Sequence, residues 1–335
     1  MTEEHIRNNP TLKEVGEQAA INVITAHAPS SRNGDDAAVL SHAGANSRAV
    51  VTTDMLVENR HFRLDWSTPA EIGRKAITQN FADIEAMGAR PVAALLAISA
   101  PAYTRLQFVS DLARGIAERV SDYSAELVGG DITDGDAIVL SVTAVGQLGG
   151  SLPELALDRA RSGHTVIVSG VIGESAAGLA LLNRFGRDGV PERFMPLVSA
   201  HCATYVPEGR GFVARAAGVS SLTDNSDGLI VDLRTMARKS GVVIDLDPSA
   251  IQPSALMREA AEILEEDPWH WVLGGGEDHT LMGTTAHAVP TGFRKIGTVI
   301  KRSNQPTHAA GEVLVGGEVL VGGEAPAYDD GWVSF

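Results

Sequence analysis

One cysteine in 335 residues, Cys202, excludes an intramolecular disulfide framework and any zinc site built on several cysteines. Positive charge is also short. Against 42 Asp and Glu there are 27 Lys and Arg, and a net charge of −15 disfavours a nucleic-acid backbone or an anionic membrane surface as partner. No apolar run approaches membrane-spanning length, and Met1-Thr2-Glu3-Glu4-His5 lacks the basic-then-apolar order of an export signal. A soluble protein of the reducing cytoplasm is the expectation. Familiar phosphate machinery is missing as well: no Gly-x-x-x-x-Gly-Lys-Ser/Thr loop, no His-Arg-Asp or Asp-Phe-Gly run, no Gly-x-Ser-x-Gly elbow. Gly209-Arg210-Gly211-Phe212-Val213-Ala214 only loosely matches a dinucleotide fingerprint, because Pro207 precedes it where a strand should end.

What the chain does have is aspartate beside glycine or hydroxyls at the edges of apolar segments. Val50-Val51-Thr52-Thr53-Asp54 reads as a β-branched strand ending in two hydroxyls and a carboxylate, the position at which α/β sheets present groups to ligands. Similar clusters stand at Gly34-Asp35-Asp36, Val128-Gly129-Gly130-Asp131 and Thr223-Asp224-Asn225-Ser226-Asp227-Gly228. Carboxylates repel one another, so four such clusters brought together need protons or divalent cations, and Mg²⁺ with phosphates is the economical choice.

The remaining pattern is that of an α/β chain. Residues 11–28 read as one amphipathic helix. Pro69 to Arg90 reads as another, with Thr68 as N-cap, Pro69 at the first turn, and Asn80 and Asp83 three apart on the flank of an apolar stripe. From spacing alone Asp83 is equally a partnered structural group or a ligand. Met55 to Phe62 reads as a polar loop, in which His61 taken alone is a solvated side chain. Gly149-Gly150-Ser151-Leu152-Pro153 marks a boundary between residues 1–150 and 151–335. Beyond it, Ser226 and Asp227 open a helix and suit either phosphate binding or ordinary capping. Gly274-Gly275-Gly276-Glu277-Asp278 suggests a mobile loop or close approach of a ligand. The duplicated segments 311–316 and 317–322, both Gly-Glu-Val-Leu-Val-Gly, carry a hairpin signature and no evident chemistry.

Taken in order, Gly-Asp-Asp-Ala-Ala, Thr-Thr-Asp-Met-Leu-Val-Glu with His61-Phe62, Asn80-Phe-Ala-Asp83, Val-Gly-Gly-Asp131, Arg161-Ser-Gly, Ser226-Asp-Gly-Leu and Gly-Gly-Glu277-Asp278 span nearly the whole chain. This ordered set resembles the thiamine-monophosphate kinases, within the superfamily of aminoimidazole ribonucleotide synthetase. The resemblance implies a two-domain α/β (α+β) fold, an N-terminal half that binds metal and ATP and dimerises through its sheet, and a C-terminal half that completes the active site. It implies transfer of the ATP γ-phosphoryl group to thiamine monophosphate, giving thiamine diphosphate, with several Mg²⁺ ions. Asp36, Thr52, Thr53, Asp54, Asp83, Asp131, Asp224 and Asp227 match the metal-binding set. Gly130, Asp131, Arg161 and Ser226 match nucleotide contacts, and His61, Glu277 and Trp332 match acceptor contacts. The family commonly continues Gly-Gly-Glu-Asp with Tyr-Glu-Leu, whereas this chain has His279-Thr280-Leu281. No general base is expected, because a phosphate monoester with a second pKa of about 6 is already ionised at neutral pH. The rivals are another ATP-dependent enzyme of the superfamily, of the purine-pathway ligase or selenophosphate synthetase type, and a nucleotide-binding maturation scaffold. The position of Cys202 and the Trp332-Val333-Ser334-Phe335 end speak against the latter two.

Overall fold

The computed structural model describes residues 9–32, 38, 40, 44, 46–301 and 318–331. The chain divides into two compact units, Met1–Ile84 with Ala89–Ser151, and Glu85–Gly88 with Leu152–Phe335.

In the first unit, β1 (Arg48–Val57), β2 (Arg90–Ala100), β3 (Glu126–Asp134) and β4 (Val139–Leu148) form a sheet in the order β1-β4-β2-β3. β2 and β3 run parallel, and the other pairings are antiparallel. The expected helix over 11–28 is two helices, α1 (Leu12–Val15) and α2 (Glu17–His27), because Gly16 takes a φ of +76° between them. A capping box starts the short first helix, with Glu14 Oε2 accepting from both the amide and the hydroxyl of Thr11. The same device starts α3 (Pro69–Ala86), where Glu71 Oε2 accepts from the Thr68 amide and the Glu71 amide donates to Thr68 Oγ1.

α3 crosses α4 (Leu106–Asp122) at very short range. A Cβ on Gly73 would lie 2.3 Å from the Leu112 carbonyl oxygen, and one on Gly115 2.0 Å from that of Ala70. Both helices pack on one face of the sheet, where Phe81, Ile84, Leu112 and Ile116 meet Leu56, Leu96, Ile98 and Leu140. The alternate residues point to the other face. Val51, Met55 and Leu95 there are 62%, 52% and 39% exposed.

The second unit carries a six-stranded sheet in the order β10-β7-β9-β5-β8-β6. Its strands are β5 (Thr165–Val168), β6 (Ser221–Asp224), β7 (Val243–Leu246), β8 (Leu281–Thr285), β9 (Arg294–Ile300) and β10 (Val319–Val321). Its helices are α5 (Glu174–Phe185), α6 (Met195–Cys202), α7 (Arg210–Ala216), α8 (Leu229–Ser240), α9 (Ala255–Leu264) and α10 (Pro268–Gly274). The Glu85 carboxylate accepts from the amides of Gly209 and Gly211 at the start of α7, satisfying donors that a helix leaves free. Of the duplicated segment, the second copy supplies β10, an edge strand parallel to β7. The first copy, and with it the expected hairpin, lies outside the described residues.

Candidate active site

Asp54 does not end its strand, as the sequence reading supposed. β1 continues through Met55, Leu56 and Val57, because those residues keep the out-in alternation and pair with Ser141, Leu140 and Val139. Asp54 sits in mid-strand on the helix-covered face, two residues from buried Leu56, and α3 reaches down to meet it. The Asp54 amide donates to Asn80 Oδ1 (3.0 Å), and Asn80 Nδ2 donates to the Ala76 carbonyl (2.9 Å), so the buried Asn80 side chain is locked between helix and strand. One turn further along α3, Asp83 Oδ2 accepts from Thr52 Oγ1 at 2.8 Å. Thr52, Asp54, Asn80 and Asp83 therefore form one constellation. Thr53 points to the opposite face, where Thr143 Oγ1 donates to its hydroxyl (3.2 Å) and it donates to the Val142 carbonyl (3.0 Å).

Asp131 departs from the expectation of a single cluster. It too lies in mid-strand, and the register places it in a row with Ala97, Ser141 and Met55, on the uncovered face, while its neighbour Ile132 enters the core. Asp54 and Asp131 stand on opposite edge strands and opposite faces, three strand spacings or about 14 Å apart. A single ion cannot touch both within one chain. Gly130 shares the strand, and a Cβ there would lie 2.0 Å from the Leu96 carbonyl oxygen.

His61 is not a freely solvated side chain. It closes a turn after β1 in which the Val57 amide donates to its Nδ1 (3.0 Å), leaving the neutral ring's proton on Nε2, and buried Lys75 Nζ donates to its carbonyl (2.9 Å). Asp36 and Trp332 lie outside the described residues.

The second unit gathers a denser set of acids. Asp224, at the end of β6, accepts from Ser226 Oγ (3.3 Å) through one oxygen and lies 2.9 Å from His279 Nδ1 through the other. Asp227 is exposed. Its amide and that of Gly228 both donate to Asp232 Oδ2 at 3.0 Å. Burial, with the neighbouring Asp224 and Asp227 charges, pushes the Asp232 carboxyl up to about 8. The sequence reading missed Asp232, which is separated from Asp227 by one helical turn. Arg161 is exposed and donates through Nη1 to the carbonyls of Asp158 and Ala160, both at 2.8 Å.

The Gly-Gly-Glu-Asp stretch is an ordered junction rather than a loose loop. Asp278 accepts from the amides of Gly173 (2.6 Å) and Ser175 (3.0 Å) and from Asn225 Nδ2 (3.2 Å), so it caps α5 from 103 residues away. Its complete burial drives the carboxyl up to about 7 against the opposing pull of those amides. Glu277 and His279 flank it with φ values of +61° and +51°, strained for residues with side chains. Beside this junction lies a cleft of about 570 Å³, walled by Trp271, His270, Glu266, Gly275, Asp330 and Gly331.

Among the described residues, no three His, Cys, Asp or Glu side chains come close enough to form a metal site. The donor set is nonetheless all oxygen, with Asp54, Asp83 and the Thr52 hydroxyl together. That fits Mg²⁺, which is held by one or two carboxylates, waters and substrate phosphates rather than by a complete protein cage.

The sequence profile described as "AIR synthase related protein, N-terminal domain" matches residues 34–148. A thiamine-monophosphate kinase of Corynebacterium glutamicum is 61% identical over 330 residues, 98% of this chain and 96% of its own length. The chain belongs to the thiamine-monophosphate kinase family. The Mycobacterium tuberculosis member is 44% identical over 87% of both chains. The structure described as AaThiL complexed with AMPPCP and TMP superposes with a TM-score of 0.73 at 29% identity, over 97% of this chain and 98% of that one. The fold of the family, mixed α/β in both units, is the fold seen here.

Proposed function

We propose that the protein transfers the γ-phosphoryl group of ATP directly to the phosphate of thiamine monophosphate, yielding thiamine diphosphate. The observation that carries this reading is the 61% identity to a thiamine-monophosphate kinase over nearly the entire chain. The neighbour bound to AMPPCP and TMP supports it.

Two polyanions must meet in line, so the difficulty is repulsion rather than activation of the nucleophile. Mg²⁺ bound to the phosphates supplies charge neutralisation between them. Asp54 and Asp83 would hold such ions through their carboxylate oxygens. Asn80 and Thr52 fix the two carboxylates by binding the Asp54 backbone and the Asp83 side chain. Asp36, Thr53, Asp131, Asp224 and Asp227 complete the proposed ion-binding set, and Gly130, Arg161 and Ser226 the nucleotide contacts. His61, with a proton on Nε2, Glu277 and Trp332 recognise the acceptor. The exposed Val51, Met55 and Leu95 face of the first sheet is the surface for a homodimer, and the cytoplasm is the compartment.

ADP release measured with thiamine monophosphate, an aminoimidazole precursor, selenide or no acceptor tests the reading. Release should follow thiamine monophosphate alone. Equal release without it refutes the assignment.

A further inference from the structure

We infer that His201, on α6, is a positioning residue that holds the Glu277 carboxylate in place for the acceptor. The inference rests on the reading of Glu277 as an acceptor contact.

Glu277 combines two features that ordinarily undo each other. Its backbone is left-handed, and its side chain is 91% buried. A carboxylate removed from water needs charge-complementary or hydrogen-bonding partners, and a strained backbone persists only where neighbours over-determine it. The backbone is fixed by the Glu277 amide donating to the Ser226 carbonyl (2.8 Å) and by Thr204 Oγ1 donating to the Glu277 carbonyl (3.1 Å). The carboxylate faces His201, whose Nδ1 lies 3.5 Å from Glu277 Oε2.

His201 is itself constrained. It is 4% exposed, and the same Nδ1 lies 3.2 Å from Ser175 Oγ. Ser175 stands in the first turn of α5, where its amide donates to Asp278. The first turn of α5 thus meets both acids of the Glu277-Asp278 pair, Asp278 directly and Glu277 by way of the imidazole, whose single Nδ1 is shared between Ser175 Oγ and Glu277 Oε2. A Cβ on Gly178, one turn along, would lie 2.1 Å from the Leu197 carbonyl oxygen and 3.1 Å from His201 Cβ, so α5 and α6 are pressed together where these contacts meet. With that packing the ring has little room to leave Glu277.

Steady-state kinetics of the full-length enzyme with His201→Leu, His201→Asn, Glu277→Gln and the Leu/Gln double variant test the inference. His201→Leu should raise KM for thiamine monophosphate by about tenfold, with KM for ATP and kcat changed by less than about threefold. His201→Asn, which keeps a polar group near the Nδ1 position, should recover most of that loss. The double variant should be no worse than Glu277→Gln alone, within about twofold. If Glu277→Gln raises the acceptor KM and His201→Leu does not, the positioning role falls while the acceptor reading stands. If Glu277→Gln leaves the acceptor KM unchanged, the acceptor reading of Glu277 falls first. Equal losses for both substrates, or additive effects in the double variant, assign His201 to packing alone and overturn the inference. Should His201→Leu not fold, the cycle is run with His201→Phe, which keeps the ring volume without a polar nitrogen and gives the same decision.

Discussion

Asp278→Asn offers a quantitative test of how the Gly-Gly-Glu-Asp junction is built. Burial raises the carboxyl from 3.8 to about 7, so the native protein holds a proton there over a range in which the unfolded chain has released it. For a carboxyl raised in this way, the stability it contributes is complete below about pH 4 and is lost as pH rises through about 7. Asn does not titrate and serves as the reference. Integrating the linkage relation, wild type should lose about 2 kcal/mol relative to Asp278→Asn between roughly pH 5.5 and roughly pH 8.5. A pH-independent offset of about 1–2 kcal/mol is expected in addition, because an amide cannot accept from both the Gly173 and the Ser175 amides through two oxygens. Urea unfolding of both proteins across this range, followed by tryptophan fluorescence, measures the difference. Trp271, buried in the adjoining wall, reports on the same region. Parallel stability curves at every pH would refute the reasoning, showing that the three donors keep Asp278 ionised throughout.

Asp54→Asn and Asp83→Asn should each lower kcat by orders of magnitude with an unchanged circular dichroism spectrum, and near-normal turnover of either would remove it from the ion-binding set. Thr52→Val deletes the hydrogen bond to Asp83 and should reduce stability by about 1 kcal/mol and lower kcat, with Thr52→Ser restoring both. His61→Ala should raise KM for thiamine monophosphate more than KM for ATP, and equal effects on the two would place His61 elsewhere. Gly115→Ala forces a methyl against the Ala70 carbonyl and should cost about 1–3 kcal/mol in denaturant unfolding, and an unshifted midpoint would contradict the close helix crossing.

Part of the chemistry decided within a few residues was readable, while the break at Gly16 and the contact of Asp232 with the Asp227 and Gly228 amides were equally local and were missed. Thr68 and Pro69 announce α3, and Asn80 and Asp83 stand on its flank as their spacing requires. The extent of β1 was also present in the pattern, since Met55, Leu56 and Val57 continue the alternation past Asp54, but the run of polar residues that follows hid it. Register is another matter. Whether Asp131 shares a face with Asp54 depends on how four strands are offset, and no property of the separate segments states that offset. His201 and Asp278 act across 76 and 103 residues of chain and leave only an indirect sign. The sign is Gly173-Glu174-Ser175, a helix start with no side chain of its own to cap it, which implies that a distant group does so.

The chain passes from one unit to the other and back again before residue 90, because Glu85–Gly88 belongs to the second unit although both of its sequence neighbours belong to the first. A fragment beginning at Leu152 would therefore lack Glu85 and leave the Gly209 and Gly211 amides at the head of α7 without their acceptor. Cutting the gene at the obvious glycine-rich seam would yield a half with a missing keystone. Anyone wishing to study the second half alone would have to graft the four-residue piece back, for instance as an N-terminal extension, before judging its solubility or ligand binding.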